Sequence, residues 1–525
     1  MKGIEINDPI AVDVQIKGKI IPKFPPEVNA SFKLRNATIT AQGVHLTKTD
    51  LDGAFINYVK PNVKNDDFNS AIRFKIYKAE VEGIPFKATI QVADLKAMHI
   101  DLSASLHANL TSFNQAIPSN YKFSAGKADI DLVYEGTLYY YLDSIKRNFD
   151  DTLLGKIKIT NGAFLYKDRN LQLSNFTADI DVTEKQFNIK ELSGALNGSS
   201  LLLRGTIDNV RRIFSKEENV MVGDFMLSSP KFELAKMLEK KAATTTAAPA
   251  APQDTKLVAS TINQITSELS AKLNFNCKLF TFNKLTANDV KAQVLLSANG
   301  IQLKDFKLNA CKGNVIINGG LYTAGKQDKI EATLNLKNVD VQQLLQDGEN
   351  FKQDAITHKN IQGKFSTTIQ FSALLDNSYT PLMESIKANA DFSLKQGYLI
   401  DIEQLKNVGK YIFKKRDFAK VNFADIQGNV SIKEGQMDIK RMEVSANILR
   451  VFVQGKYAFN GLSDITIEFP FSNFKKQDLN YEPSNMGTDA KTGAAIFVRL
   501  RGANNKMKIS LDAGARKRLA KEANL

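Results

Sequence analysis

The chain has 525 residues, 43% of them hydrophobic and 24% charged, a composition that can bury a core and excludes a wholly disordered polypeptide. Its 70 Lys and Arg against 56 Asp and Glu leave a formal charge of +14, spread along the chain, which favours acidic surfaces as partners without selecting one. Two cysteines, Cys277 and Cys311, four histidines and no tryptophan exclude a disulfide scaffold and a thiolate metal cluster.

The opening MKGIEIND carries Glu5 and Asp8 where a secretory leader needs an unbroken apolar stretch. No run of about 18 uncharged apolar residues follows, so no helical membrane span is expected. The chain is then either soluble or without its anchor. A faint N-terminal copy of the chain's repeating pattern, at 73–95, opens the array. Strict alternation is clear at Lys156-Ile157-Lys158-Ile159, Asp179-Ile180-Asp181-Val182 and Lys291-Ala292-Gln293-Val294. A period of two puts apolar side chains on one face, so these are half-buried antiparallel strands. Asn161-Gly162, Asn197-Gly198, Asn299-Gly300, Glu434-Gly435 and Asn460-Gly461 are dipeptides that accept positive φ, and they predict hairpin turns between strands in meander order. Helical spacing is confined to 232–238, 339–345, 402–413 and the basic end 513–525. The Ala/Thr/Pro run 242–253, AATTTAAPAAPQ, cannot bury a face and reads as a linker or loop. It separates an N-terminal half, 1–241, from a C-terminal half, 254–525.

A repeat organises both halves. Superposing Phe187, Ile301 and Met437, at offsets of 114 (301 minus 187) and 250 (437 minus 187), aligns about 30 residues without a gap. Ile180, Val182, Phe187, Ile189, Leu201, Leu203 and Gly205 of the first copy match Val294, Leu296, Ile301, Leu303, Val315, Ile317 and Gly319 of the second. Val430, Ile432, Met437, Ile439, Val451, Val453 and Gly455 fill the same columns in the third. Chance alternation does not hold parity through three turns. The first two copies are followed by matching blocks at 223–238 and 330–345, each a strand running into a short helix.

The predicted fold is mainly β: an elongated, curved antiparallel sheet with a few short helices. A sheet of about 20 or more strands, roughly 100 Å across its strands, does not stay flat and single-faced in water. With few helices to cover it, its apolar face meets itself in a trough or sandwich, or meets an apolar ligand. Ile157, Ile159 and the apolar repeat columns named above are the candidate lining.

The successions GKIKITNGAFLYKDRNLQLSNFTADIDV, FNIKELSGALNGSSLLLRGTIDN and FMLSSPKFELAKMLE, with ANADFSLKQGYLIDIEQLKNVGKYIF, FADIQGNVSIKEGQMDIKRMEVSANILRVFVQGKYAFNG and FVRLRGANNKMKISLD, resemble the AsmA family of bacterial envelope proteins over about residues 30–515. The stretch of about 385–515 is similar to the AsmA-like C-terminal region. The resemblance implies a repeating β-groove that carries phospholipid acyl chains between inner and outer membranes in support of outer-membrane biogenesis. It also implies a periplasmic location and an inner-membrane anchor outside this sequence. The competing expectation is an envelope assembly or scaffold protein, serving outer-membrane protein insertion, with a closed β-core and other envelope proteins as partners.

No catalytic constellation appears. Ala324-Gly325-Lys326 lacks the remaining residues of a phosphate-binding loop. None of His45, His99, His107 and His358 stands in a nucleophile or metalloprotease context, and each is read as an ordinary polar residue. Asp340-Val341 and Asp401-Ile402-Glu403 read as solvent-facing charge, and no metal or cofactor is indicated. Cys277 shares parity with apolar Phe275, whereas Cys311 falls in the turn column of Asn197; a disulfide and two separate thiols both stay open. The basic clusters are too short and isolated for nucleic acid. Lys414 and Lys415, after Tyr411-Ile412-Phe413, and Arg516, Lys517, Arg518 and Lys521, around Leu519, suit anionic head groups at a bacterial membrane surface.

Overall fold

A computed structural model describes the chain except residues 1–3, 7, 22–24, 42–43, 138–150, 211–219, 239–268, 299, 325–326, 353–356, 377–380, 403–405, 407–415, 417–418, 459–460, 475–483, 485–486, 488, 504–505 and 524–525. The described residues form 27 strands and three short α-helices, α1 (Leu234–Leu238), α2 (Val341–Asp347) and α3 (Ala515–Ala523). Two compact units result. The first comprises Met1–Pro230, Ala235–Thr245 and Glu268–Leu273, and the second Lys231–Leu234, Thr246–Ser267 and Asn274–Leu525. The expected linker at 242–253 lies outside the described residues.

In the first unit the strands from Glu27–Ala41 to Met221–Glu233 each pair antiparallel with the next. Two N-terminal strands, Ile4–Ile6 and Ala11–Lys17, both pair with Glu27–Ala41. The second unit repeats the pattern from Leu285–Ser297 to Lys506–Leu511, except that Lys387–Ile400 pairs with both Lys420–Phe423 and Ile426–Lys433. Among the described residues no pairing joins the last strand of either unit to its first, so neither sheet closes into a barrel.

The three sequence copies are also three copies of one register. Ile180 lies opposite Ile189, Val294 opposite Leu303 and Val430 opposite Ile439; the next partners are Val182 with Phe187, Leu296 with Ile301 and Ile432 with Met437. Each second strand then carries a bulge at the same place, between Ile189 and Leu192, Leu303 and Phe306, and Ile439 and Met442. Opposite Ile189, Leu303 and Ile439 stand Gly205, Gly319 and Gly455. A Cβ there would lie 2.2, 2.5 and 2.3 Å from the carbonyl oxygens of Asp224, Glu331 and Asp464 on the following strand. The glycine column is therefore a packing requirement: the strands approach too closely for any side chain.

Bulges recur along many strands, bending each one and sharpening its twist. The buried side chains gather beside them, including Leu34, Ala37, Leu51, Ile76 and Ala79 in one cluster and Leu110, Ala128 and Phe176 in another. In the second unit Ala287, Val290, Leu308 and Val339 form a third, and Leu394, Val421, Phe423 and Val451 belong to a fourth. The core is thus a set of local knots at the bends, each large side chain contributing about 1.5–3 kcal/mol.

Asn161-Gly162 departs from expectation. The strand Thr152–Tyr166 runs straight through it, and the positive φ of Asn161 serves a bulge facing Phe176. A Cβ on Gly162 would lie 2.3 Å from the Phe176 ring. Asn197-Gly198 and Glu434-Gly435 do make two-residue turns, with φ of 44° and 84° and of 52° and 72°. The helices expected at 232–238 and 339–345 are present, each starting two residues later than the spacing suggested. Asp340 is the N-cap of α2, its side chain accepting the Gln343 amide hydrogen at 3.1 Å, a more specific role than solvent-facing charge. Most of 402–413 lies outside the described residues.

Candidate functional site

Direct partners across an antiparallel ladder share a face, so the register traces rows of side chains from strand to strand. In the first unit Ile130, Ile157, Ile180 and Ile189 are successive partners. Beside them run Ala128, Ile159, Ala178, Leu192, Leu203 and Leu227. In the second unit one row crosses ten strands: Ile317, Leu334, Ile369, Ala390, Val430, Ile439, Gly455, Ile465, Leu500 and Ile509. At about 4.8 Å per strand that row is about 40 Å long. All twenty candidate lining residues fall on the apolar face of their own unit.

The opposite face is polar and charge-alternating. Asp129, Lys158 and Asp179 form one row, and Asp131, Lys156 and Asp181 the next, with Lys190 Nζ 2.7 Å from Asp181. Opposite charges in direct register stabilise the pairing modestly. They also bar this face from an apolar ligand.

Exposure separates the apolar face from an ordinary core. Of the twenty candidate residues only Val182 (6%) and Val451 (7%) are buried; the other eighteen are half-buried and none is fully exposed. At the outer strands the face opens further, with Val12 and Ile16 each 60% exposed, and Leu511 77%. A closed β-core would bury these positions as it buries Phe176 or Val339, and the closed-core expectation finds no support here.

Lys414 and Lys415 lie outside the described residues. Their neighbour Arg416 is half-buried and donates to the carbonyls of Ile448 and Asn473, and burial lowers its pKa. In the tail, Lys517 and Lys521 are exposed. Arg516 donates to the Gly493 carbonyl and sits 5.7 Å from the Phe497 ring centre. Arg518 folds back on the sheet, donating to Thr466 at 2.8 Å and Asp512 at 2.9 Å. Ala515, fully buried, seats the helix.

Cys277 and Cys311 are buried thiols of one core cluster and are not joined in a disulfide. Cys311 and Lys312, with φ of 47° and 59°, form the turn in the column of Asn197 and Gly198. Burial, with the Asp347 carboxylate second, pushes the Cys311 thiol up to about 11. A neutral thiol at ordinary pH is a poor nucleophile. Strand pairing also assembles a cluster that the sequence did not announce: His99, Asp101 and Glu135, whose donor atoms lie within 4.8 Å of one another. The available signal was His-x-Asp on a strand, which puts both side chains on one face; the third member comes from the neighbouring strand.

Among the described residues no helix is long and apolar enough to cross a membrane. Fold and face together define a class: antiparallel repeat sheets with one charged and one half-exposed apolar surface. The AsmA family model matches residues 11–442, and the chain belongs to that family. No curated relative and no solved structure matched it.

Proposed function

We propose that this chain binds lipid acyl chains along the apolar sheet face and conducts phospholipid between the inner and outer membranes, with the β-sheet in the periplasm and no bond made or broken. The observation that carries this reading is the half-exposure of eighteen of the twenty lining side chains, together with AsmA family membership. Each methylene withdrawn from water contributes about 0.8 kcal/mol, so a 16-carbon chain gains on the order of 10 kcal/mol. Because the same apolar columns recur at a constant register, a chain shifted from one strand to the next meets an equivalent surface, and sliding costs little. Head groups stay in water at the seam between the two faces. Lys517 and Lys521 then aid docking to anionic membrane by adding charge without anchoring.

Native mass spectrometry with lipid extraction, on protein purified without detergent, tests this. Co-purified phospholipid is the expected result. Protein that is lipid-free and takes up no labelled phospholipid from vesicles overturns it.

A further inference from the structure

We infer that His99, Asp101 and Glu135 form a binding site for a divalent transition-metal ion, zinc foremost, on the polar face of the first unit. The backbone alone brings them together. His99 and Asp101 are two apart on the strand His99–Asn109 and so share a face. On the neighbouring strand Tyr121–Thr137, Glu135 is the direct partner of Asp101, and Thr137 that of His99.

The spacing is slightly wider than that of ligands around a common ion. His99 Nε2 is 3.9 Å from Asp101 Oδ1 and 3.7 Å from Glu135 Oε1, too far for hydrogen bonds. Two ligands each about 2.0–2.1 Å from a tetrahedral zinc are separated by about 3.3 Å, within reach of small side-chain rotations. Two carboxylates in direct cross-strand register repel, and a dication between them reverses that sign.

The surrounding groups orient the set. His99 Nδ1 is 3.4 Å from Thr137 Oγ1; with the proton on Nδ1 donated to that hydroxyl, Nε2 presents its lone pair to the ion. Gln91 Nε2 donates to Asp101 Oδ2 at 3.3 Å, and Arg73 Nε donates to Gln91 Oε1 at 2.6 Å, which leaves Oδ1 for the metal. Metal-binding histidines and carboxylates are held by outer partners of this kind. Histidine and carboxylate are both zinc ligands, and three protein ligands leave a fourth position for water or an exogenous donor. His107 on the same strand face differs, because its Nδ1 already contacts Asp129 Oδ1 at 2.7 Å.

Isothermal titration of the untagged, chelator-treated 525-residue chain with zinc chloride tests the assignment, with far-UV circular dichroism confirming that each variant folds. The expected result is one site, weakened at least about tenfold in His99→Ala and in Glu135→Gln and unchanged in His107→Ala. Absence of zinc binding by the wild-type chain, equal binding by His99→Ala and Glu135→Gln, or equal weakening by His107→Ala would each overturn it.

Discussion

Replacing Val294 by Asp puts one carboxylate into the apolar row of the second repeat, opposite Leu303. Val294 keeps only part of its surface in water, so the folded chain loses somewhat less than the 1.5–3 kcal/mol of a fully buried valine, about 1–2 kcal/mol, while the carboxylate keeps part of its water. A bound acyl chain removes that water, and stripping an unpaired charge costs several kcal/mol. At 1.4 kcal/mol per decade, a penalty of about 3 kcal/mol lowers lipid occupancy more than a hundredfold. The comparison is Gln293→Asp, one residue away on the other face and opposite Lys304, which is expected to keep wild-type occupancy. Extracted lipid per mole of protein measures the effect, and a urea midpoint measures the fold. A folded Val294→Asp chain with wild-type lipid content would refute the placement of acyl chains on this row. Aggregation or failure to express would mean that Val294 is closed core.

Gly455→Val forces a Cβ to within 2.3 Å of the Asp464 carbonyl, so it should lower stability by about 1–3 kcal/mol, read as a lower urea midpoint. Gly435→Asn, at an open turn with φ of 72° and nothing within 4 Å, should change little. Hydrogen bonds from Arg499, one at 2.6 Å, hold the Asp464 carboxyl below its ordinary 3.8 despite partial burial. A depressed folded pKa stabilises above the unfolded value and loses that stabilisation as pH falls through the folded one. Asp464→Asn should therefore be less stable than wild type at neutral pH, and the gap should close as pH drops past 3.8; a constant gap would disprove the linkage. Reversing Lys517 and Lys521 to Glu should weaken flotation with anionic vesicles, at about 1 kcal/mol per basic residue, most clearly at low salt. Charge reversal is the right perturbation because Ala515 and Arg518 tie the helix to the sheet, and deleting it would disturb the fold.

The period of two at 156–159, 179–182 and 291–294 determined the strands, and constant offsets of 114 and 250 determined that Ile180, Val294 and Val430 hold the same register, each on the apolar face of its own unit. Both properties are local: side-chain parity is a consequence of strand geometry, and a glycine in a fixed column is visible without knowing what it touches. The same alternation did not distinguish a bulge from a turn at Asn161-Gly162, because both use the positive φ that Asn supplies; the neighbouring Phe176 decided for the bulge. Nor did it separate Phe176, fully buried at a bend, from Ile180, half-exposed four residues later, since burial depends on what a bend folds against. Arg518 looked like its neighbour Lys517 until the helix docked and brought Thr466 and Asp512 within hydrogen-bonding distance. His99 and Glu135 stand 36 positions apart (135 minus 99), and only cross-strand register brings them side by side: which strand neighbours which, and in what phase, is set by long-range pairing, and that is the information one-dimensional periodicity lacks.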